Sequence, residues 1–324
     1  MQRNPNLNGL KMPDNKTKSK TVLVIVGATA VGKTALAIEL AKAINGEIIS
    51  ADSRLFYRGM DIGTAKPTKE EQNTIKHYLV DVAEPEEIWS LSILQKKVTE
   101  AIIEIQSKGK IAILVGGTGQ YVRAITEGWQ IPPQQPDEKF RKAIERWGDD
   151  IGAEELHHKL SLIDPAAAKK IDPQNMRRTV RALEVIFMTG NLFSGQRTKK
   201  TPDQNFWIIG LDRPRAEIYA RVDERIEGMF ANGFVEETQK LLNRGISPQQ
   251  PNLSAIGYRE VCEFLAGKIT LEEAKAQMRK KTRIFVRRQN NWFKRDDPEI
   301  HWYEMAEEPL TKIINDLQIA NIIS

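Results

Sequence analysis

Cysteine is nearly absent: the 324 residues contain one, Cys262. It cannot close a disulfide within the chain, and its helical spacing with Val261, Phe264 and Leu265 reads as packed core. The lack of any C-x-x-C pair or Cys/His cluster argues against zinc, and a reducing cytoplasm is the expected compartment. No apolar run approaches the roughly 20 residues of a membrane span. The opening MQRNPNLNGLKMPDNKTKSK has no apolar segment of the secretory kind and reads as a short disordered tail over residues 1–20, although a transit peptide would share its basic composition. Acids are not scarce overall, with 43 Asp and Glu against 48 Lys and Arg for a net charge of +5, but they vanish locally.

That local absence is informative. Arg279 to Arg295 spans 17 residues with eight Lys or Arg and no acid, and it contains no Pro or Gly. Read as part of a helix over Leu271–Lys294, it places Lys280, Arg283, Arg287 and Lys294 within about 60° of one another. Met278, Phe285 and Trp292 fall opposite and are expected to pack. Solvated helix faces usually mix signs, so an acid-free face points to phosphate-backbone contact. Lys169, Lys170, Arg177, Arg178 and Arg181 form a second basic group, and two such groups suggest a long polyanion.

Residues 22–41, VLVIVGATAVGKTALAIELA, read as a buried strand, a glycine loop and a helix. The loop Gly27, Ala28, Thr29, Ala30, Val31, Gly32, Lys33, Thr34 has the phosphate-cradling spacing G-x-x-x-x-G-K-T. Its glycines let the backbone wrap phosphate oxygens, the helix N-terminus aims N–H groups at them, Lys33 neutralises charge and the Thr34 hydroxyl suits Mg2+. Nucleotide kinases, NTPases and some transferases share this loop, so it does not name the substrate.

The chain is long enough for one large or two ordinary domains. Strand-like runs at Thr21–Val26, Glu47–Ser50, Tyr78–Val82 and Ile111–Val115 alternate with helical patterns, which predicts a doubly wound parallel α/β sheet of the P-loop NTPase kind. The next strand pattern is Phe206–Leu211. Between lie the linker Ile131-Pro-Pro-Gln-Gln-Pro136 and a helical stretch: Glu138–Arg146, Ala153–Leu162, Pro165–Lys170 and Met176–Met188. The expected organisation is a sheet domain begun over 21–128, an inserted all-helical domain over 129–201, and core completion with a helical C-terminal region over 202–324. Helices are expected at Ala216–Phe230 and Val235–Asn243, and a short strand at Ile300–Tyr303.

Chemistry is expected where the strands end. The second strand ends in Ser50-Ala51-Asp52-Ser53-Arg54, where Asp52 either faces a substrate or caps a turn. The fourth ends in Gly116-Gly117-Thr118-Gly119, where Thr118 either offers a hydroxyl to a ligand or caps a helix. Asp61-Ile-Gly-Thr-Ala-Lys-Pro67 is a polar loop with no evident chemistry.

GATAVGKT, ADSRLFYRGMDIGTAKP, LVGGTGQY, RRTVRALEV, SAIGYRE and RRQNNWFKRD occur in this order from residue 22 to about residue 295. Together they resemble the bacterial-type tRNA dimethylallyltransferases, or tRNA isopentenyltransferases. The resemblance implies transfer of a dimethylallyl group from dimethylallyl diphosphate to N6 of the adenosine 3′ to the anticodon, with Mg2+ at Thr34 and release of diphosphate. It implies Asp52 as general base, Lys33 and the loop amides on the leaving diphosphate, Thr118 near the bridging oxygen, and Arg215 near the diphosphate. It further implies contact with the tRNA anticodon stem-loop by Asp52, Ser53, Arg54, Leu55, Thr118, Arg141, Arg177, Arg178, Arg181, Gly257, Tyr258, Arg259, Arg287, Arg288, Gln289 and Lys294. Arg178 and Arg181 also read as a solvated helix face, and Gly257-Tyr258 as a helix-starting turn. Leu55 stands where the family often has glutamine, and Gln120 where it often has leucine. The expected protein is a cytoplasmic monomer with no membrane partner. Other readings are an adenylate isopentenyltransferase, a kinase using ATP, and a nucleic-acid binder with a vestigial loop.

Overall fold

Val22 to Val26 are all fully buried, and a run apolar on both sides belongs to a strand covered on both faces. This is β1 (Thr21–Gly27), in the interior of the sheet of the computed structural model, which describes residues 21–130, 137–195 and 199–323. The N-terminal tail and the linker Ile131 to Pro136 lie outside the described residues. After β1 come α1 (Lys33–Ala43), β2 (Gly46–Ser50), α2 (Lys69–Thr74), β3 (His77–Tyr78), α3 (Leu91–Ser107), β4 (Ile111–Val115) and α4 (Gly119–Thr126). Then come α5 (Glu138–Ile151), α6 (Ala153–Ile163), α7 (Pro165–Ala168) and α8 (Met176–Thr189). The chain finishes with β5 (Asn205–Asp212), α9 (Arg215–Ala231), α10 (Phe234–Asn243), α11 (Tyr258–Leu265), α12 (Leu271–Gln289), β6 (Ile300–Glu304) and α13 (Leu310–Ile319).

Among the described residues the six strands pair in parallel in the order β3-β2-β4-β1-β5-β6. The fold is thus the doubly wound α/β architecture expected. Leu23 and Ile25 share one core with Leu36 and Leu40 of α1 and with Ile313 and Leu317 of α13. Strand alternation sends Val22, Val24 and Val26 to the other face. β1 and β4 are neighbours whose chains leave in opposite directions, β1 toward β2 and β4 toward β5. A reversal of connection direction between neighbouring strands marks the region outside their carboxyl ends, where ligands bind in such sheets.

The third strand is shorter than expected. It stops at Tyr78 because Leu79 and Asp81 take left-handed φ of 60° and 55°, which breaks an extended chain. The bend turns Asp81 toward Lys66, whose buried ammonium donates to Asp61, Asp81 and the Tyr57 carbonyl. The last basic helix also differs from its expected span over Leu271–Lys294. α12 ends at Gln289, and amides of Trp292 and Phe293 fold back onto the Gln289 carbonyl, burying Phe293. Its packed stripe is Ala274, Met278, Val286 and Gln289; Phe285 and Trp292, expected in the core, are 36% and 39% exposed. The turn after Gln289 takes Trp292 out of the helical register on which that expectation rested.

Two compact units divide the chain. The first contains the sheet, as residues up to Glu87, Val98–Gly119 and Gln204 onward; the second contains Ile88–Lys97 and Gln120–Asp203. The division therefore falls at Gly119 and Asp203, not at 128 and 201, and includes the start of α3. Gln95 accounts for part of that, since its amide donates to the carbonyls of Ala124 and Trp129 within the same unit. The second unit closes on Ile144, Leu156, Leu160, Val180, Leu183 and Ile186. Its helices begin where the sequence supplies acceptors: Asp137 caps α5, Asp164 caps α7 and Asn175 caps α8. Glu184 is fully buried there and is satisfied by Arg141 and Arg181.

Candidate active site

The loop from Gly27 to Thr34 joins β1 to α1 at the carboxyl edge of the sheet. Gly27 has φ 144°, and a Cβ there would stand 2.6 Å from the Leu211 carbonyl oxygen. Only glycine passes that close to β5. Gly32 is left-handed, and no side chain caps α1, whose first turn also lacks an acid. The amides at this helix start therefore remain available to an anion.

Lys33 folds back over the loop, its ammonium donating to the carbonyls of Gly27 at 3.1 Å and Ala28 at 2.9 Å. Burial brings its pKa down to about 8; Asp52 opposes that shift and Arg225 adds to it. Two arginines bond the loop, one just after β5 and one on α9: Arg213 Nε donates to Val31 O at 3.0 Å, and Arg221 Nε to Ala30 O at 2.8 Å. One turn beyond Arg221, Arg225 is half-buried; desolvation pulls its pKa below the usual arginine value and Arg221 adds to that, while Asp52 resists it. Lys33 and Arg225 both interact with Asp52, and with Arg221 beside Arg225 the cations outnumber the carboxylate, so the site seeks an anion.

Arg215 is exposed at the start of α9, and the arginines that reach the loop are Arg213 and Arg221. Arg221 and Arg225 escaped the sequence reading, although their i, i+4 spacing just after a strand that ends at the site was the available signal.

Asp52 follows β2. Its Oδ1 accepts from the Arg54 amide at 3.0 Å, and its own amide donates to Ser50 Oγ. The site is drawn together by backbone bonds between strand ends: Ala51 N donates to Val115 O, and Gly116 N to Ile25 O. A Cβ on Gly116 would meet the Ala51 side chain at 2.8 Å, so the turn after β4 lies directly against the turn after β2. Thr118 is half-buried immediately before α4. Gly27 to Thr34, Asp52 and Gly116 to Thr118 thus occupy three adjacent strand ends. Thr34 is exposed in the first turn of α1, and among the described residues no cluster of three or more His, Cys, Asp or Glu could hold a metal ion by itself. That donor set fits an Mg2+ held mostly by ligand phosphates and water, to which a threonine hydroxyl adds one oxygen.

The residues expected at RNA separate into groups. Arg177 and Arg178 are exposed on α8, whereas Arg141 and Arg181 spend much of their charge on Glu184. Ser53 and Leu55 are half-buried, and Arg54 donates to the carbonyls of Asn252 and Pro251. Arg259 is exposed beside Glu263. Gly257 and Tyr258 are buried: the Tyr258 hydroxyl donates to Glu237 at 2.6 Å, and no base can stack on its ring. Glu237 also accepts from the amides of Asp61, Ile62 and Gly63, which gives the Asp61–Pro67 loop the role the sequence left blank. Its three amides form an anion nest filled by the protein's own carboxylate.

Along α12 the acid-free run acquires acids from other elements. Arg279 pairs with Glu227, Lys281 with Glu260 and Arg283 with Asp223, while Arg295 pairs with Asp212 and Glu304. Lys280, Arg287, Arg288 and Lys294 form no ion pair among the described residues. Lys280, Arg283 and Arg287 line a shallow groove on the helix. Gln289, expected at RNA, is instead 2% exposed.

Comparison with known proteins places this geometry in a family. A family profile described as IPP transferase matches residues 55–296. The chain is similar to a tRNA dimethylallyltransferase of Thermomicrobium roseum, at 43% identity over 290 residues, 90% of this chain and 88% of the relative. It is similar to another from Roseiflexus, at 47% identity over 274 residues, 85% of this chain and 90% of the relative. A crystal structure of a full-length tRNA isopentenylpyrophosphate transferase from Bacillus halodurans superposes with a TM-score of 0.69 at 39% identity, covering 93% of this chain and 96% of the other. A eukaryotic dimethylallyltransferase captured acting on tRNA gives a TM-score of 0.77 at 26% identity, covering 94% and 79%. The match begins after the phosphate loop and Asp52, so the loop geometry and the family profile are separate lines of support. The chain belongs to the tRNA dimethylallyltransferase family, enzymes of the prenyltransferase type.

Proposed function

We propose that this enzyme transfers a dimethylallyl group from dimethylallyl diphosphate to N6 of the adenosine on the 3′ side of the anticodon in tRNA. The observation that carries this reading is the meeting, at three adjacent strand ends, of an uncapped phosphate loop, a cationic cluster and Asp52. A diphosphate fits the loop. The acceptor must then approach from the side of Asp52 and Thr118.

The adenine amine is a weak nucleophile because its lone pair is delocalised into the ring. As N6 attacks C1 of the allyl group, the C1–O bond breaks and its electron pair leaves with the diphosphate, while the N6 proton passes to the Asp52 carboxylate. Lys33 and the amides at the start of α1 hold the charge that grows on the leaving group. Arg221 and Arg225 supply further positive charge from α9. In this reading the Thr118 hydroxyl donates toward the oxygen that bridges C1 and phosphorus. Mg2+, held by Thr34 and the phosphates, would neutralise part of the same charge. A buried base of RNA is out of reach of such a site, so the adenosine leaves its stack to react.

The tRNA contacts proposed are the anticodon stem-loop against Arg177 and Arg178 on one unit, and against Arg54, Arg259, Arg287, Arg288 and Lys294 on the other. The protein is read as a cytoplasmic monomer. A mass measurement tests the reaction: with Mg2+, dimethylallyl diphosphate and unmodified tRNA, one anticodon-loop adenosine is expected to gain a dimethylallyl group. Alkylation of AMP without tRNA, or consumption of ATP, would instead point to the adenylate transferase or kinase readings.

A second measurement tests the RNA surface. Replacing Arg287 and Arg288 by alanine is expected to weaken tRNA binding and to lower the slope of log affinity against log salt by about one for each phosphate no longer neutralised. An unchanged slope would place both arginines off the RNA.

A further inference from the structure

Gln289 is a polar side chain, 2% exposed, at the last residue of α12. Its Oε1 accepts from the amide of Thr29 at 2.8 Å, and its Nε2 donates to the carbonyl of Gly117 at 2.9 Å. One amide group therefore joins the phosphate loop after β1 to the glycine turn after β4, across 260 and 172 residues of sequence. Gly117 is shaped by the contact, because a Cβ there would stand 2.4 Å from Gln289 Nε2 and 3.3 Å from Lys33 Nζ. The glycine turn, the glutamine amide and the lysine ammonium are packed together without room for a methyl group.

Both partners of Gln289 are backbone groups of loops that carry the proposed chemistry. Thr29 lies within the loop whose later amides and Lys33 face the diphosphate, and Gly117 precedes Thr118. The separation of these loops sets how far Thr118 stands from the phosphates. Backbone bonds already join the strand ends, but they hold β1 to β4 at Ile25, ahead of the phosphate loop, and at Gly116, the first residue of the turn. Beyond that point Gln289 spans the gap. We propose that Gln289 is a positioning residue that holds the phosphate loop and the Gly116–Thr118 turn at the spacing the donor diphosphate requires. It acts through Thr29 and Gly117 and does not touch the substrate.

The inference rests on the proposed donor chemistry. Removing the amide while keeping the side-chain volume isolates its hydrogen bonds, and methionine does this. Gln289→Met is expected to fold, to bind tRNA within about twofold of the native enzyme, and to raise KM for dimethylallyl diphosphate and lower kcat so that kcat/KM falls about tenfold or more. Gln289→Asn retains the amide one methylene shorter, reaches only one loop, and is expected to fall between the two. The Thr29 amide is expected to be protected from hydrogen exchange in the native protein and to exchange faster in Gln289→Met.

Binding of inorganic diphosphate, followed by calorimetry, is expected to weaken in parallel. Three results would overturn the proposal: donor kinetics within twofold of native in both variants, loss of tRNA affinity with donor constants unchanged, or an unprotected Thr29 amide in the native protein. If Gln289→Met does not fold, Gln289→Asn with the exchange measurement decides alone. A native enzyme that neither binds diphosphate nor modifies tRNA would sink the donor reading itself, which is a different failure.

Discussion

Replacing Asp52 by alanine is expected to lower kcat for tRNA prenylation by about 10²- to 10⁴-fold, the usual worth of a positioned general base, with tRNA affinity within a few-fold of native. The argument turns on what else Asp52 does. Its Oδ1 accepts the Arg54 amide in a tight turn, so a turn cap is a complete structural account of the residue. Asparagine separates the two roles. Asp52→Asn retains an acceptor for the Arg54 amide but cannot take a proton from N6, so it is expected to fold like the native protein and to be as inactive as the alanine variant. An asparagine variant with most of its turnover would leave Asp52 as a cap only. Cations around it bear on the same point, since Lys33 and Arg225 both interact with its charge.

Loss of the Lys33 ammonium is expected to be the second large effect. Lys33→Met removes the ammonium that lies over the loop, nearest the proposed leaving group, and is expected to cost about 10²- to 10³-fold in kcat, the scale seen when one preorganised donor to developing charge is removed. Its pH dependence is the sharper test. With the pKa brought down to about 8, Lys33 is charged below that pH and neutral above it. kcat/KM for the donor, which reports the free enzyme, is therefore expected to fall as pH rises through about 8, approaching tenfold per pH unit. A bound diphosphate restores the charged form, so donor binding above that pH should take up a proton, measurable by calorimetry in buffers of different ionisation enthalpy. A profile flat from pH 7.5 to about 9.5, in the native enzyme, would remove Lys33 from the ionisations that govern donor capture.

Much of the candidate site was legible from residue order alone. The phosphate loop, Asp52 and the Gly116–Thr118 turn each stand at the end of a hydrophobic strand, and a parallel sheet brings such ends to one edge. What escaped were side chains whose role depends on partners far away in sequence. Arg221 and Arg225 lie in a stretch read only as a helix, Ala216–Phe230, and it is the fold that sets that helix beside the loop. Gln289 looked like part of a basic surface, because nothing local reveals that a residue among Arg287, Arg288 and Asn290 points inward. Tyr258 followed a glycine in a motif that resembled an RNA contact, yet its hydroxyl completes the Glu237 nest.

Sequence by itself determined the parallel α/β class, the run of helices between β4 and β5, and the family, because each rests on short-range periodicity or on motifs contiguous in the chain. Only the tertiary structure decided which basic residues remain without an acid. Arg283 and Arg279 lose their apparent freedom to Asp223 and Glu227 of α9, while Lys280, Arg287, Arg288 and Lys294 pair with no acid among the described residues. Only the fold, too, set Gln289 between Thr29 and Gly117. Charge balance and hydrogen-bond satisfaction are settled between elements brought together by packing, and a linear pattern does not contain those distances.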